Sequence, residues 1–289
     1  MSLLLHWLSR RSLRTLHVMG ALLGWLAWAL SPSYRRRLRD NAQLAGISAA
    51  DRRAAVAEAG RLTLELPRLW LRPRAQPIAD PVRWQGAQHV EAALAQGRGI
   101  VLLTPHMGSF EVAAQAYAER FGGQQPITVL YRPARQRWLR ELEETARARP
   151  ALATAPATLA GVRRLLRALR RGQTVGLLPD QVPPGGMGVW VPFFGQPAYT
   201  MTLAARLVQQ TGAVPLLIWG DRLPRGEGYE VCVAPLAEAL PEADADDAAW
   251  QTAAAAVINR NMEQMILSRP SQYLWGYHRY KQPRQGAPT

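Results

Sequence analysis

Short apolar runs and longer helical stretches alternate along most of this 289-residue chain. A short apolar run predicts a strand, and apolar positions that recur every three or four residues predict a helix. The predicted strands are 100–103, 127–131, 175–178, 214–219 and 229–234. The predicted helices are 51–70, 90–95, 110–121, 136–147, 162–171, 202–210 and 248–267, with Pro67 expected to kink or end the first. Glycine and proline between 178 and 202 predict an irregular loop.

Strands and helices that alternate at this pace are typical of an α/β protein. We therefore expect a mixed, mostly parallel central sheet flanked by helices on both faces. A chain of this length can bury a full core, and two large independent domains are not expected.

An uncharged apolar segment, residues 18–30, predicts an N-terminal membrane-associated helix. Thirteen residues extend about 20 Å, which is shorter than a hydrocarbon core of about 30 Å. Extension towards the amino terminus brings in Arg14 and His17, so the helix either crosses with its polar ends reaching the surface or lies in the interface. A cleaved signal peptide and a buried core helix are the alternatives. The spacing of Gly20 and Gly24 is compatible with helix dimerisation.

The charge of the chain narrows the choice of partners. With 35 basic and 21 acidic residues, the net charge is +14. Such a surface attracts nucleic acid, an anionic membrane, phosphorylated substrates or an acidic carrier protein. Nucleic-acid binding is not expected, because the sequence shows no aromatic-and-basic binding module. The single cysteine, Cys232, excludes an intramolecular disulfide, and no Cys/His cluster has zinc spacing, so no metal is expected.

The sequence TPHMGSFE, residues 104–111, lies where a predicted strand gives way to a predicted helix. On one continuous helix His106 and Glu111 would point about 140° apart. They approach each other if Gly108 permits a turn and Ser109 caps the helix, since Glu111 then lies in the first helical turn. A carboxylate on one imidazole nitrogen makes the other a general base for a hydroxyl. An incidental histidine before a capped helix is the alternative.

Polar residues also follow two other predicted strands. One strand is followed by Tyr131 and Arg132, and another by Asp180 and Gln181. The carboxyl ends of parallel strands meet at the edge where open α/β sheets bind ligands. Arg132 suits a phosphate or an oxyanion, and Asp180 suits the orientation of Arg132 or of the acceptor. A structural salt bridge or a turn cap is the alternative role for each.

Five motifs occur in a fixed order: HMGSFE, YRP, LLPDQVPPGGMGVWVPFFG, GAVPLLIWG and PSQYLWGYHRYK. Together they resemble the lipid A biosynthesis acyltransferase family, the late lauroyl and myristoyl transferases of Gram-negative bacteria, over nearly the whole chain. That family is similar to the glycerol-phosphate acyltransferase superfamily, which has an aspartate where this chain has Glu111. Residues His278 to Lys281 depart mildly from the two adjacent basic residues that the family usually carries.

The resemblance implies transfer of a fatty acyl chain from acyl carrier protein to a hydroxyl of a lipid A precursor. The expected place is the cytoplasmic face of the cell inner membrane, and no cofactor or metal is expected. Residues 1–45 would form a membrane anchor with a basic segment, and residues 46–289 the acyltransferase catalytic domain. The expected partners are acyl carrier protein, a phosphorylated glycolipid acceptor and the membrane.

The resemblance also implies that His106 is the catalytic base and Glu111 its partner. The expected substrate-binding residues are Gly108, Tyr131, Arg132, Asp180 and Gln181. We expect direct transfer in a ternary complex, in which Arg132 and backbone N–H groups near Gly108 offset negative charge. Two alternatives remain: the same chemistry on an ornithine lipid or another aminolipid with acyl-CoA as donor, and an inactive membrane homologue that binds lipid.

Overall fold

The computed structural model describes residues 2–134, 136–242 and 247–284. The strands in these residues are β1 Val82–Gln85, β2 Ile100–Leu103, β3 Ile127–Tyr131, β4 Leu152–Pro156, β5 Thr174–Leu177, β6 Gly188–Phe193, β7 Gln196–Met201, β8 Val214–Arg222 and β9 Tyr229–Pro235. The helices are α1 Ser2–Ser9, α2 Leu13–Leu30, α3 Pro32–Leu44, α4 Ala49–Trp70, α5 Ala87–Ala95, α6 Phe110–Phe121, α7 Arg137–Arg147, α8 Leu159–Arg170, α9 Leu203–Thr211 and α10 Asp247–Ser268.

In the described ranges, seven strands form one sheet in the order β1, β9, β8, β2, β5, β3, β4. The strands from β8 to β4 run parallel, and β9 is antiparallel to β8. Strand β1 pairs with β9 in parallel. This confirms the expected mixed, mostly parallel sheet. The order places β2 between β8 and β5, so the loops after β2, β3 and β5 leave the same edge.

The core covers both faces of the sheet. Along β2, Val101 and Leu103 belong to one buried cluster, and Ile100 and Leu102 belong to the other. This alternation follows from the strand period of two residues. Helices α8, α9 and α10 cover the first face, and α5 and α6 cover the second. The central strand is therefore fixed from both sides, which makes its carboxyl end a rigid base for a loop.

Polar caps set the starts of several helices. The N-cap hydroxyls of Ser12, Ser48 and Thr158 accept the backbone N–H groups of Thr15, Asp51 and Gly161. Each bond satisfies one of the amide groups that a helix leaves unpaired in its first turn.

Helix α2 lies antiparallel along α4. The helices meet at small residues, and a Cβ atom on Gly60 would collide with the backbone of Gly20 and Gly24. Small residues allow two helix backbones to approach this closely. One turn nearer the amino terminus of α2, the Nε2 atom of His17 lies 3.2 Å from the buried carboxylate of Glu65. Gly20 and Gly24 thus allow α2 to pack against α4 within the chain. The sequence had suggested helix dimerisation as a use for the same spacing.

By length and composition alone, α2 can cross a membrane, with a mean hydropathy of 1.3 over its 18 residues. Only 28% of this helix is buried against the rest of the protein. Its four most exposed apolar residues recur every fourth position: Val18 58%, Leu22 68%, Leu26 54% and Leu30 74%. We call these four residues the apolar stripe.

Three features differ from the sequence-based expectations. The glycine- and proline-rich stretch after β5 contains the antiparallel pair β6 and β7, closed by a turn at Phe194 and Gly195. Of the two expectations for Pro67, an end of the helix is wrong, because α4 continues past it to the predicted residue Trp70. Proline removes one hydrogen bond, and the helix still closes a final turn with the bond from the Leu71 N–H to the Pro67 carbonyl. The pattern also missed α1, α3, β1 and β4, which are short or strongly polar.

Candidate active site

The loop after β2, residues 106–109, forms the centre of the site. It begins after Pro105 and leads directly into α6. Gly108 has φ +57°, a left-handed conformation that glycine adopts without strain. A Cβ atom at this position would also collide with the carbonyl oxygen of Gly220 on β8. Glycine is therefore required here for two reasons: the left-handed torsion angle and the lack of space beside the Gly220 carbonyl.

Backbone hydrogen bonds hold this loop from several sides. The N–H group of residue 106 donates to an Asp180 carboxylate oxygen at 3.0 Å, and that of residue 107 donates to the Pro105 carbonyl at 2.7 Å. The N–H group of residue 108 donates to the Gln272 carbonyl at 2.9 Å, and that of residue 109 donates to the Gly220 carbonyl at 2.7 Å. The carbonyl of His106 accepts the N–H of Leu274 at 3.1 Å. These four N–H groups are already used, so in this conformation they are not oxyanion donors, contrary to the expectation for Gly108.

The imidazole of His106 is hydrogen-bonded to Asp180. Its Nδ1 atom lies 2.7 Å from Oδ1 of Asp180, whose Oδ2 accepts the backbone N–H of the same histidine. A carboxylate at Nδ1 fixes the proton on that nitrogen and leaves Nε2 as the basic one. The histidine side chain is 20% exposed and the aspartate side chain 3%. A buried carboxylate thus orients an imidazole that solvent or substrate can reach.

The environment of Asp180 keeps its carboxyl group ionised. Burial opposes ionisation, but the hydrogen bonds and charge of His106 and the charge of Arg279 outweigh it, and the pKa of Asp180 lies below its ordinary value of 3.8. The neighbouring Tyr273 is also buried, and burial followed by the charge of Asp180 raises the pKa of its hydroxyl group well above the ordinary value. Asp180 is therefore a fixed negative charge behind the imidazole.

Gln181 lies on the other side of the ring. Its Nε2 atom is 3.1 Å from Nε2 of His106. The side-chain amide therefore marks the position from which a hydroxyl would approach the basic nitrogen. The backbone of this segment is held by a hydrogen bond of 3.0 Å from the Val182 N–H to the Tyr277 hydroxyl group. Phe110 covers the imidazole edge, with a ring-centroid distance of 5.2 Å.

Glu111 is not the hydrogen-bond partner of His106. Its carboxylate pairs with Arg147 of α7, whose Nε and Nη2 atoms lie 3.2 Å and 2.5 Å from Oε1. Burial opposes the charge of this arginine, but Glu111 outweighs it and raises the pKa of Arg147. Glu111 does lie in the first turn of α6, as expected. From there its carboxylate reaches α7. The imidazole instead meets Asp180, which follows β5, the strand paired with β2.

The other expected substrate-binding residues lie at the same edge of the sheet. Tyr131 ends β3, and the guanidinium carbon of Arg147 lies 5.7 Å from the centre of its ring. The next residue, Arg132, is exposed. Within the described ranges, no hydrogen bond or ion pair joins Arg132 to His106 or Asp180. The structure therefore brings His106, Asp180 and Gln181 into contact and leaves Arg132 beside them, open to solvent.

Sequence reasoning assigned no role to Arg279, which the structure places behind the site. This side chain is 2% exposed and donates to the Tyr199 carbonyl and the Thr200 hydroxyl group, both at 2.7 Å. Its guanidinium carbon lies 4.9 Å from the centre of the Phe193 ring. Burial lowers the pKa of Arg279, although nearby Tyr273 and Asp180 oppose this. Arg279 thus joins the C-terminal segment to the hairpin of β6 and β7.

Three side chains elsewhere bring potential metal ligands together. Ligand atoms of Asp221, Glu230 and Cys232 lie within 4.8 Å of one another. Arg269 donates to the Asp221 carboxylate at 2.9 Å, and the thiol of Cys232 lies 3.6 Å from the side-chain oxygen of Gln85. The guanidinium group already neutralises the carboxylate that a cation would need, so this group does not favour a metal.

Comparisons with known proteins agree with the motifs at this edge. The family described as bacterial lipid A biosynthesis acyltransferase matches residues 5–282. The chain belongs to this family. It is 29% identical over 212 residues to the lipid A biosynthesis lauroyltransferase of Escherichia coli strain K12, covering 72% of this chain and 65% of that protein.

Two further relatives extend the comparison. The palmitoleoyltransferase of the same organism is 26% identical over 198 residues, 68% of this chain and 60% of that protein. A phosphatidylinositol mannoside acyltransferase of Mycobacterium tuberculosis (strain CDC 1551 / Oshkosh) is 30% identical over 183 residues, 58% of this chain and 55% of that protein. The chain thus spans less than two thirds of the length of the curated relatives that it matches.

Proposed function

We propose that this protein transfers a fatty acyl chain from the thioester of acyl carrier protein to a hydroxyl group of a phosphorylated glycolipid of the lipid A precursor class. The contact of His106 with Asp180 is the observation that supports this most directly. It provides a partly exposed base, oriented by a buried carboxylate, at the edge of the sheet where open α/β folds bind ligands. Membership of the lipid A acyltransferase family supports the same reaction class.

The first step forms the new ester bond. The acceptor oxygen attacks the thioester carbonyl carbon while Nε2 of His106 takes the hydroxyl proton. The carbonyl electrons move to oxygen, and the imidazolium that forms is stabilised by Asp180 at Nδ1. General-base assistance of this kind contributes roughly 10²- to 10⁴-fold to a rate. Gln181 lies next to Nε2 and supplies a neutral hydrogen bond to the attacking or the developing oxygen atom.

The second step breaks the thioester. The tetrahedral intermediate re-forms its carbonyl and expels the carrier thiolate, so that the C–S bond breaks. His106 returns its proton to the thiolate. The products are one ester and one thiol, and the balance requires no cofactor, metal or acyl-enzyme. Arg132, which is exposed at the end of β3, offers a charge-assisted hydrogen bond to a phosphate of the acceptor.

Relatives and charge support the choice of substrates. The names of two relatives specify lipid A biosynthesis, and another specifies phosphatidylinositol mannoside, so phosphorylated glycolipids are the acceptor class that they share. A net charge of +14 favours a phosphorylated lipid and an acidic carrier protein over neutral substrates. Because the names of the relatives and the net charge both favour a phosphorylated lipid, an aminolipid is the second candidate acceptor.

Membrane attachment through α2 forms part of the proposal. One side of α2 packs along α4, whose Glu58 and Glu65 form ion pairs with the buried Arg222 of β8. A crossing α2 would draw these charges towards the hydrocarbon, at a cost of several kcal/mol for each charge. We therefore place α2 in the interface, with the apolar stripe in the lipid. The corresponding location is the cytoplasmic face of the inner membrane, where the acyl carrier protein is available.

An acyl-transfer assay with the full chain tests the function. Labelled acyl groups on acyl carrier protein are offered with a lipid A precursor, a phosphatidylinositol mannoside or an ornithine lipid, and products are identified by mass spectrometry. We expect one added acyl mass on the lipid A precursor and its loss in His106→Ala. Transfer to the ornithine lipid alone would show that the acceptor is an aminolipid and not a lipid A precursor. Full transfer by folded His106→Ala would contradict the mechanism.

A further inference from the structure

We propose that a groove between the end of α2, α3 and the start of α4 binds the phosphate headgroup of an anionic membrane lipid, apart from the acceptor site at His106. Its volume is about 570 Å³. Five guanidinium groups line it, and we call it the arginine groove: Arg35, Arg36, Arg39, Arg52 and Arg53. None of these residues contacts the loop of residues 106–109 in the described part of the chain.

The arginine groove carries a large excess of positive charge. Arg39 pairs with Asp40 at 3.0 Å, and both side chains are mostly exposed. Arg52 donates to the Ile47 carbonyl at 3.2 Å. Among the residues that the structure describes, Arg36 and Arg53 have no carboxylate partner and are exposed. Planar guanidinium groups bind phosphate through paired hydrogen bonds, so this set suits a phosphate better than an uncharged apolar ligand.

Two tryptophans place the groove at the level of lipid headgroups. Trp25 is 40% exposed and packs edge-on against Trp28, with ring centroids 5.5 Å apart. The guanidinium carbon of Arg35 lies 5.1 Å from the centre of the Trp28 ring. Tryptophan is enriched where membrane meets water, because its ring is apolar and its N–H group is polar. Both tryptophans line the groove, which ties the arginines to the membrane boundary.

The apolar stripe identifies the source of the phosphate. It runs along α2 and ends at Leu30, and the groove begins at the same end of the helix. A lipid therefore presents its acyl chains to the stripe and its phosphate to the arginines in a single pose. A soluble phosphate or a polynucleotide would leave the stripe in water. The chemistry of the whole surface thus favours a lipid.

This inference rests on the proposed membrane attachment, and binding to vesicles of two compositions separates the two. The full chain is mixed with vesicles of phosphatidylcholine, or with vesicles in which part of that lipid is replaced by phosphatidylglycerol. We expect binding to both through the stripe and tighter binding to the second. Absence of binding to either vesicle would overturn the attachment and the groove together. Equal binding to both would overturn the groove alone.

A matched pair of variants separates the groove from bulk charge. Arg36→Gln/Arg53→Gln removes two exposed charges from the groove, and Arg163→Gln/Arg170→Gln removes two exposed charges from α8. The first should weaken binding to phosphatidylglycerol vesicles about 10-fold or more, and the second should leave it unchanged. Equal loss in both variants, or no loss in the first, would overturn the proposal. Circular dichroism checks the fold of each variant.

Competition and activity complete the test. Inorganic phosphate should weaken binding to phosphatidylglycerol vesicles more than chloride does at equal ionic strength, because it competes with the lipid phosphate for the same guanidinium groups, and it should leave binding to phosphatidylcholine vesicles unchanged. Equal effects of phosphate and chloride would overturn phosphate recognition by the arginine groove. Acyl transfer in detergent micelles should be equal in the wild type and in Arg36→Gln/Arg53→Gln, because the groove is separate from His106. A loss of activity in detergent would place the groove in the acceptor site and contradict its separate role.

Discussion

Oδ1 of Asp180 lies 2.7 Å from Nδ1 of His106, and the second carboxylate oxygen binds the backbone N–H of the same histidine. The carboxylate thus fixes both the ring and the main chain that carries it. In Asp180→Asn, the amide still fits the space, but its charge and its tautomer control are lost. We expect kcat to fall by roughly 10³-fold or more.

The steady-state constants and the fold of the variant distinguish this positioning role from a structural one. We expect Asp180→Asn to keep the circular dichroism spectrum of the wild type and to change KM little while kcat falls, because the carboxylate acts on the imidazole rather than on substrate binding. A folded Asp180→Asn protein with full kcat would contradict the role.

Stability should depend on pH through the same carboxyl group. The pKa of Asp180 is lower in the folded protein than its ordinary value of 3.8, so its contribution is present above that value and disappears as pH falls through the folded pKa. The difference in the free energy of unfolding between wild type and Asp180→Asn should be constant above about pH 5 and should shrink as the pH falls from about 5 to about 2. Urea unfolding across this range measures it, and a difference that stays constant down to about pH 2 would exclude the coupling.

Gln181 should affect the chemical step rather than binding. Its amide lies 3.1 Å from the basic nitrogen of His106, so we expect it to donate a hydrogen bond to the attacking or developing oxygen atom. We expect Gln181→Ala to lower kcat about 100-fold with little change in KM. Gln196→Ala, at the exposed start of β7, is the control and should retain full activity. An increase in KM alone would assign Gln181 to substrate binding.

Substitution of Gly108 should disturb the loop far more than its torsion angle alone requires. Gly97 has φ +65° with nothing within 4 Å of an added methyl group, and Gly108 has φ +57° with the Gly220 carbonyl in the way. We expect Gly97→Ala to cost about 1 kcal/mol of unfolding free energy and Gly108→Ala about 3 kcal/mol or more. Chemical denaturation compares them, and equal costs would mean that the loop can move away from β8.

The pair of Glu111 and Arg147 should behave as a coupled structural unit. Removing one charge leaves the other largely buried without its partner, so Glu111→Gln and Arg147→Gln should each cost about 3 kcal/mol. The double variant should cost less than the sum, by about 1–3 kcal/mol. Additive costs in the double-mutant cycle would show that the ion pair does not connect α6 with α7 in solution.

The sequence predicted the central elements well because their signals are local. The apolar runs of β2 and β3 and the periodicity of α6 are complete within each element, and the observed bounds equal the predicted ones. The hairpin of β6 and β7 was missed because its strands are interrupted by proline and glycine, which weaken the strand pattern.

The hydrogen-bond partner of His106 could not be predicted from the spacing of residues along the chain. A separation of five positions suggested Glu111, but the partner is Asp180, which lies 74 positions away. That contact follows from the pairing of β2 with β5, and a strand order is set by the packing of the whole sheet. The role of Arg279 was equally hidden, because it depends on contacts with Tyr199 and Thr200.

The hydrogen bonds from Gly108 to Gln272 and from Leu274 to His106 join the loop of residues 106–109 to a segment far along the chain. Local detachment of residues 272–274 would release two of the bonds that hold the turn with the imidazole, while the strands of the sheet keep their own hydrogen bonds. Catalytic competence can therefore be lost before the sheet itself unfolds.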